Sequence, residues 1–213
     1  TLWLLRFTYK KLKEKLTVSD SKKLFHEKFP YVIPGLYKRI VDEMLVELNL
    51  LNHQNEFIQD DLFCFGLTET FKELTKDYKP KVHIELLFES LCNSSNFEPS
   101  KIKEISKKTV ELYKEKSLKE ISILLKEKTT SNIYSSRILN IGIYLIIVNA
   151  NDFNEIKDSE KNKVIFDTIN SLNLSVNKAE KDISFYKSSI KKMQQAKELL
   201  EEAKIQSKKK EIK

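Results

Sequence analysis

The sequence predicts an all-α protein: a compact bundle of about eight helices followed by a long C-terminal coiled-coil helix. Three glycines and four prolines in 213 residues are too few for the turns of a β-sandwich or the phosphate loops of a nucleotide-binding α/β fold. Apolar residues recur at intervals of three and four, and no strand-like alternation persists along the chain. With 40% hydrophobic and 32% charged residues, the chain is long enough for one sizeable core.

The first two helices are bounded by capping and breaking residues. Ser19-Asp20 is predicted to cap a short helix, which ends before Pro30 because the residue preceding a proline avoids the α region. The second helix opens at Pro34-Gly35 and has charged residues on the face opposite its apolar one. Its apolar face consists of Leu36, Ile40, Val41, Met44, Leu45, Leu48 and Leu51.

The third and fourth helices follow the same logic. Asp60 or Asp61 is predicted to cap the third, in which Gly66 indicates close packing against another helix. Pro80 is expected in the first turn of the fourth. Their apolar faces are Phe63, Leu67, Phe71, Leu74 and Tyr78 in the third, and Ile84, Leu87, Phe88, Leu91 and Cys92 in the fourth.

The second half of the globular region is predicted to hold four more helices. Pro99-Ser100 opens the first of them, and Ser117 caps the second. Residues 133–149 are apolar nearly all round, which is typical of a central helix surrounded by others. Its apolar run is well short of the ~20 residues needed to cross a bilayer, so we expect a buried core helix. A helix near 159–172 completes the body.

The C-terminal segment has the pattern of a coiled coil. Apolar residues follow a strict three-four spacing without Gly or Pro, and Lys197 stands at one core position. Two interpretations stay open: association with a partner helix or a second copy, and a long solvated helix packed loosely on its own domain. The seam residues are Val176, Ala179, Ile183, Tyr186, Ile190, Met193 and Leu200.

Positive charge is concentrated at the two ends. Residues 1–17 hold five basic residues and one acidic residue, and residues 175–213 hold eleven lysines and six acidic residues. Since the net charge is +7, the remainder carries −2. We therefore predict an extension or flexible tail over residues 1–17, with residues 1–16 as an upstream extension or truncated leader, a helical domain over 18–174, and a coiled-coil helix with a basic tail over 175–213.

The chain shows no residue pattern of a known catalytic site. Dinucleotide, P-loop, esterase and zinc-protease motifs do not occur in it. Cys64 and Cys92 are predicted to be small core residues in a reduced compartment. The sequence thus predicts neither an enzyme nor a cofactor or metal site. Histidines predicted to lie at the surface or at caps, and carboxylate pairs predicted to be solvated, are His26, His53, His83, Glu43 with Glu47, and Glu85 with Glu89.

Three segments in the first hundred residues resemble one family. They are TVSDSKKLF at 17–25, IPGLYKRIVDEMLVELNLL at 33–51 and DLFCFGL at 61–67. They resemble the thylakoid formation family, also called the photosystem II biogenesis family, of cyanobacteria and plastids. Phe71, Tyr78 and Pro80 extend the match toward residue 97. The chain departs from the family pattern at residues 31–35 and at Asp60-Asp61-Leu62, where an Asp-Pro pair is common.

The resemblance implies a mostly helical, non-enzymatic accessory factor in thylakoid biogenesis and photosystem II maintenance. Family members are associated with FtsH protease complexes, so FtsH and photosystem II components are the expected partners. The expected location is the cytoplasmic side of the thylakoid membrane, soluble or in peripheral contact with its surface. Exposed charges of the second helix are the candidate partner contacts: Lys38, Arg39, Asp42 and Glu43.

Two other functions remain open at this point. A coiled-coil oligomerisation scaffold would use the C-terminal seam for self-association. A nucleic-acid-binding protein would clamp phosphates with its basic ends, but few aromatic residues alternate with the lysines. A mildly acidic body argues against nucleic acid as a partner and favours a contact or tethering role.

Overall fold

The computed structural model describes residues 15–129 and 134–211, and for residues 200 and 204–211 it describes the backbone alone. Within these ranges the chain forms nine α-helices, one short 3-10 turn and no strand, which confirms the predicted all-α class. The 3-10 turn spans Phe153–Glu155. The helices are α1 (Val18–Lys28), α2 (Gly35–His53), α3 (Asp61–Thr75), α4 (His83–Asn93), α5 (Pro99–Tyr113), α6 (Leu118–Lys128), α7 (Arg137–Val148), α8 (Asp158–Ser171) and α9 (Val176–Glu211).

Side-chain caps determine where several helices begin. Asp60 and Ser117 cap α3 and α6, as predicted. The cap of α1 is Thr17 instead of Ser19 or Asp20: its hydroxyl accepts the backbone N–H of Asp20, whose carboxylate accepts the Thr17 N–H at 3.0 Å. This reciprocal pair satisfies two backbone donors, which a Ser19 cap would leave unpaired. Thr17, assigned to the tail by the sequence, therefore belongs to the folded body.

The start of α4 also differs from the prediction. The helix begins at His83 and not in the turn that contains Pro80. Residues 79–82 form turns instead, and the carbonyl groups of Pro80 and Lys81 accept the N–H groups of His83 and Ile84, both at 3.1 Å. The extra turn places Val82 on an exposed loop.

α3 and α7 cross at two glycines. A Cβ atom at Gly66 would lie 2.3 Å from the Ile138 carbonyl oxygen and 3.1 Å from the Gly142 Cα. A Cβ at Gly142 would lie 2.8 Å from the Leu62 carbonyl oxygen. The close packing predicted at Gly66 is confirmed, and Gly142 is its counterpart on α7.

The hydrophobic core has two parts that meet at this crossing. The N-terminal cluster is built mainly from α1, α2, α3 and α4, and the C-terminal cluster mainly from α6, α7, α8 and the first half of α9; α5 contributes to both. α3 contributes Phe63 and Leu67 to the first and Leu62 and Phe65 to the second. α7 is the central helix predicted by its all-round apolar sequence, since Ile143 and Ile147 are fully buried in it.

The predicted C-terminal seam packs on the chain's own body. Ala179, Ile183 and Tyr186 are buried, and Ile190 and Met193 pack against the N-terminal cluster. These side chains contact helices of the same chain, and Val176 is half-buried. Over residues 176–193, α9 is therefore a long helix packed on its own domain. The Leu200 side chain lies outside the described residues.

Lys197, the lysine at a core position of the seam, has a partner in the body. Its Nζ lies 3.0 Å from Asp77 Oδ2, just after the end of α3. The boundary drawn between residues 174 and 175 therefore does not separate a body from a detached arm, because α9 contacts the body along its first 22 residues.

The described part of residues 1–17 is also tied to the body. Asn49 of α2 is buried, and its Nδ2 donates to the Leu16 carbonyl oxygen at 2.7 Å and to Ser21 Oγ at 2.8 Å. Most of the predicted tail, residues 1–14, lies outside the described residues.

Candidate functional site

The outward face of α2 carries the four charged residues predicted to contact a partner. Lys38 and Arg39 are exposed, and Asp42 and Glu43 are half-buried. Arg39 Nε donates to Glu43 Oε1 at 2.8 Å, and Lys22 Nζ lies 3.4 Å from Asp42 Oδ1. Three of the four are thus already engaged in ion pairs within the chain.

A groove runs beside this face, between α2 on one side and the start of α7 and the middle of α9 on the other. Its volume is about 660 Å³. Val46 and Leu50 add apolar surface to its α2 wall, and the Leu50 side chain is 51% exposed. We call it the α2 groove; its lining residues are Lys22, Gly35, Lys38, Arg39, Asp42, Glu43, Val46, Glu47, Leu50, Arg137 and Phe185.

Arg137 forms the wall opposite α2. Its guanidinium carbon lies 4.7 Å from the centroid of the Phe185 ring, a cation–π arrangement. Its Nε lies 3.7 Å from Asp182 Oδ1, and Asp182 also accepts a hydrogen bond from Asn140 Nδ2 at 2.8 Å. These contacts hold α9 against the first turn of α7 and fix the width of the groove.

Glu47 lies on the floor between the two walls. Burial raises the pKa of its carboxyl group, and the nearby Arg137 guanidinium opposes that rise. Asp182 raises it further, and Lys178 lowers it. A half-buried carboxyl close to a half-exposed arginine gives the groove a polar floor between charged rims.

Sequence reasoning identified one wall of this groove and missed the other. Arg137 and Phe185 are 98 and 146 positions beyond Arg39, and no local pattern links them to α2. One signal was available: Arg137 is one of only three arginines in a lysine-rich chain. Arginine forms the stacked and forked contacts that lysine does not.

The remaining polar candidates are placed as follows. His26 is exposed, and His53 Nδ1 lies 2.8 Å from the Asn49 carbonyl oxygen. Cys64 and Cys92 are buried and unbonded to each other, as predicted for core residues, and burial raises the pKa of both thiols to about 12. In the parts of the chain that the structure covers, His, Cys, Asp and Glu do not gather into a group of three or more suited to a metal ion.

Comparison with known proteins places the chain in a family. The sequence pattern of the thylakoid formation protein family matches residues 17–213. The chain belongs to the thylakoid formation protein family. It is similar to Protein Thf1 of Prochlorococcus marinus subsp. pastoris, with 82% identity over 198 residues that cover 93% of this chain and 98% of that protein. Protein Thf1 of Prochlorococcus marinus strain MIT 9312 is 68% identical over 201 residues, covering 94% and 100% of the two chains.

A solved structure shares the fold of this family member. "Structure of Psb29 at 1.55A" matches with a TM-score of 0.79 and 24% identity, over 93% of this chain and 100% of that chain. The resemblance found in residues 17–97 is therefore confirmed and extends to the C-terminus, and family membership assigns the chain a role in thylakoid formation. Across the described ranges, the helices lack the combined length and apolarity needed to cross a membrane.

Proposed function

We propose that this chain is a non-enzymatic accessory factor in thylakoid biogenesis and in the assembly and repair of photosystem II. It acts by binding and stabilising FtsH protease complexes at the cytoplasmic side of the thylakoid membrane. Family membership supports the thylakoid role, and the resemblance supports the choice of partner. No step of this proposal requires a cofactor.

The α2 groove is the observation that carries the proposal. It combines exposed cations, half-exposed carboxylates and an exposed leucine within one concave surface. Exposed ion pairs contribute only about 0–1 kcal/mol each, so Arg39 and Glu43 can exchange their mutual contact for contacts with a partner at little cost. Complementary charge across such a surface increases the association rate and selects the partner.

Both walls of the groove are held in place by contacts within the chain, so a partner meets a surface of fixed shape. Its α2 wall is anchored from behind by the buried Met44 and Leu48, and its opposite wall by the contacts of Arg137 with Asp182 and Phe185. A binding surface held in this way loses little conformational entropy when its partner binds.

The test is affinity capture from solubilised thylakoid membranes with the full chain as bait. We expect FtsH subunits to be recovered, and recovery to fall at least about tenfold with the double variant Lys38→Glu/Arg39→Glu, because reversing two charges destroys the charge complementarity between the groove and its partner. The matched control is Lys107→Glu/Lys119→Glu, which changes the same net charge at exposed positions of α5 and α6. Circular dichroism confirms that each variant is folded.

Two results would count against the proposal. If the unaltered chain recovers neither protease nor photosystem components, the partner assignment is wrong. If both double variants lose the partner equally, net charge and not the α2 groove determines binding.

A further inference from the structure

Two neighbouring loops expose apolar side chains at one place on the surface. Val32, between α1 and α2, is 91% exposed, and Val82, just before α4, is 81% exposed. Tyr31 is 46% exposed and stacks on His83, with ring centroids 3.8 Å apart and an interplanar angle of 17°. Since each valine adjoins one member of this stacked pair, the two valines belong to a single patch.

The core holds this arrangement in place. Phe29 is 1% exposed, and its ring lies edge-on to both stacked rings, 5.5 Å from Tyr31 and 6.1 Å from His83. Phe25 stacks on Phe29 from the interior at 5.8 Å. The exposed valines are therefore presented by an ordered aromatic cluster and are not the result of fraying at a chain end.

Three lysines flank the patch along the chain. Lys28, Lys79 and Lys81 are all exposed. Among the described residues none of the three lies within ion-pair distance of a carboxylate, although Lys81 donates to the Lys76 carbonyl oxygen and its charge helps to lower the pKa of Asp77. Asp77, the nearest acid in the α3–α4 connection, is already paired with Lys197.

We propose that this loop patch, comprising Tyr31, Val32 and Val82 with its rim of three lysines, docks the chain on an anionic lipid surface. The valines enter the interface between headgroups and acyl chains, where an amphipathic tyrosine ring is also favoured. The lysines are attracted by the negative headgroups. The inference goes beyond the proposed function, because lipid contact and protease binding use different surfaces.

Charge and shape favour lipid over a protein as the occupant. The apolar side chains stand on protruding loops and do not line a groove, so they suit a fluid surface that closes around them. Within the described residues the three lysines form no close ion pair with a carboxylate, so their charges are available to a polyanionic surface. Each lysine near such a surface strengthens binding by about fivefold.

The test is flotation of the full chain with vesicles of phosphatidylcholine containing phosphatidylglycerol, and with phosphatidylcholine vesicles as the neutral probe. We expect binding to the anionic vesicles only. Val32→Ser/Val82→Ser should weaken it by at least about tenfold through lost apolar burial. Both valine side chains are exposed, so replacing them with serine removes little core packing and this variant should fold.

Charge is tested separately. Lys79→Gln/Lys81→Gln should weaken binding by about 25-fold, the product of two fivefold losses, and added salt should weaken the unaltered chain in the same direction. Matched controls are Ile58→Ser/Ile123→Ser, at positions 65% and 51% exposed, and Lys107→Gln/Lys119→Gln. Both controls should bind as the unaltered chain does.

Several outcomes would overturn the inference. One is an equal loss of vesicle binding in the patch variants and the control variants. Another is binding of the unaltered chain to neutral vesicles as strong as its binding to anionic vesicles. A third is complete loss on removing residues 204–213 with no effect of the patch variants, which would assign lipid contact to the basic tail. If patch variants bind vesicles normally but recover no protease from membranes, the patch is a protein-binding surface instead.

Discussion

A single methyl group at the crossing of α3 and α7 should destabilise the whole protein. In Gly66→Ala the new Cβ would lie 2.3 Å from the Ile138 carbonyl oxygen, where an ordinary contact needs at least 3.4 Å, so the two helices must separate by about 1.1 Å. The obstructing atom belongs to a helix backbone and cannot rotate away. Because α3 contributes to both core clusters, the separation loosens packing on both sides.

The size of the effect follows from the lost contacts. A gap of 0.5–1 Å already forfeits about a quarter to a half of the dispersion energy between facing atoms, and overpacking typically costs about 1–3 kcal/mol. Alanine recovers about 1 kcal/mol of helix propensity, which offsets part of this. Starting from the upper end of the overpacking cost, we expect a net loss of about 2 kcal/mol in the free energy of unfolding.

Thermal and urea unfolding followed by circular dichroism at the helix band measure this loss. About 2 kcal/mol corresponds to a fall in Tm of about 4–8 °C for a chain of this size. Gly35→Ala is the matched control: no atom outside its own vicinity lies within 4 Å of the added Cβ, so it should be neutral or slightly stabilising. If Gly66→Ala unfolds within about 2 °C of the unaltered protein, the packing argument is refuted.

Three further substitutions test the polar contacts. Asn49→Ala removes two hydrogen bonds of a buried side chain and should cost about 2 kcal/mol in urea unfolding, with faster proteolysis ahead of residue 17. Burial raises the pKa of Glu47 in the folded state, so the free energy of unfolding should fall as pH rises above the ordinary carboxyl range; Glu47→Gln should remove this dependence in pH-resolved urea titrations. Lys197→Glu should speed amide exchange in the second half of α9, and adding Asp77→Lys should restore protection.

Local sequence rules predicted the helices well but left ambiguities where several residues could do the same job. In the TVSD run at 17–20, three residue types suit a helix cap, and only the reciprocal contact with Asp20 distinguishes Thr17 from Ser19. Likewise Pro80 suits a first helical turn, yet an additional turn delays α4 to His83. Each predicted helix start is wrong by only a few residues. The exact start depends on hydrogen bonds that form only in the folded structure.

Contacts between segments far apart in the sequence could not be predicted from local sequence patterns. Gly66 indicated close packing, but Gly142 could not be identified as its counterpart, since nothing in the sequence says which helix crosses which. The α2 groove illustrates the same limit: the charges of α2 were predicted as contacts from the resemblance, while Arg137 and Phe185 join them only through the tertiary fold.

The packing of α9 determines how any role of the C-terminal segment must be tested. Apolar residues spaced by three and four indicate that one face of a helix packs against other apolar side chains. The spacing does not indicate whether those side chains belong to another chain or to the same one. Here Ala179 and Ile183 fill the C-terminal cluster, so truncation at residue 175 would open the core and abolish binding for reasons unrelated to a partner. Removing residues 204–213 leaves every described α9 contact with the body in place, including the Lys197–Asp77 pair. Only that shorter deletion separates a contribution of the basic tail from loss of the fold.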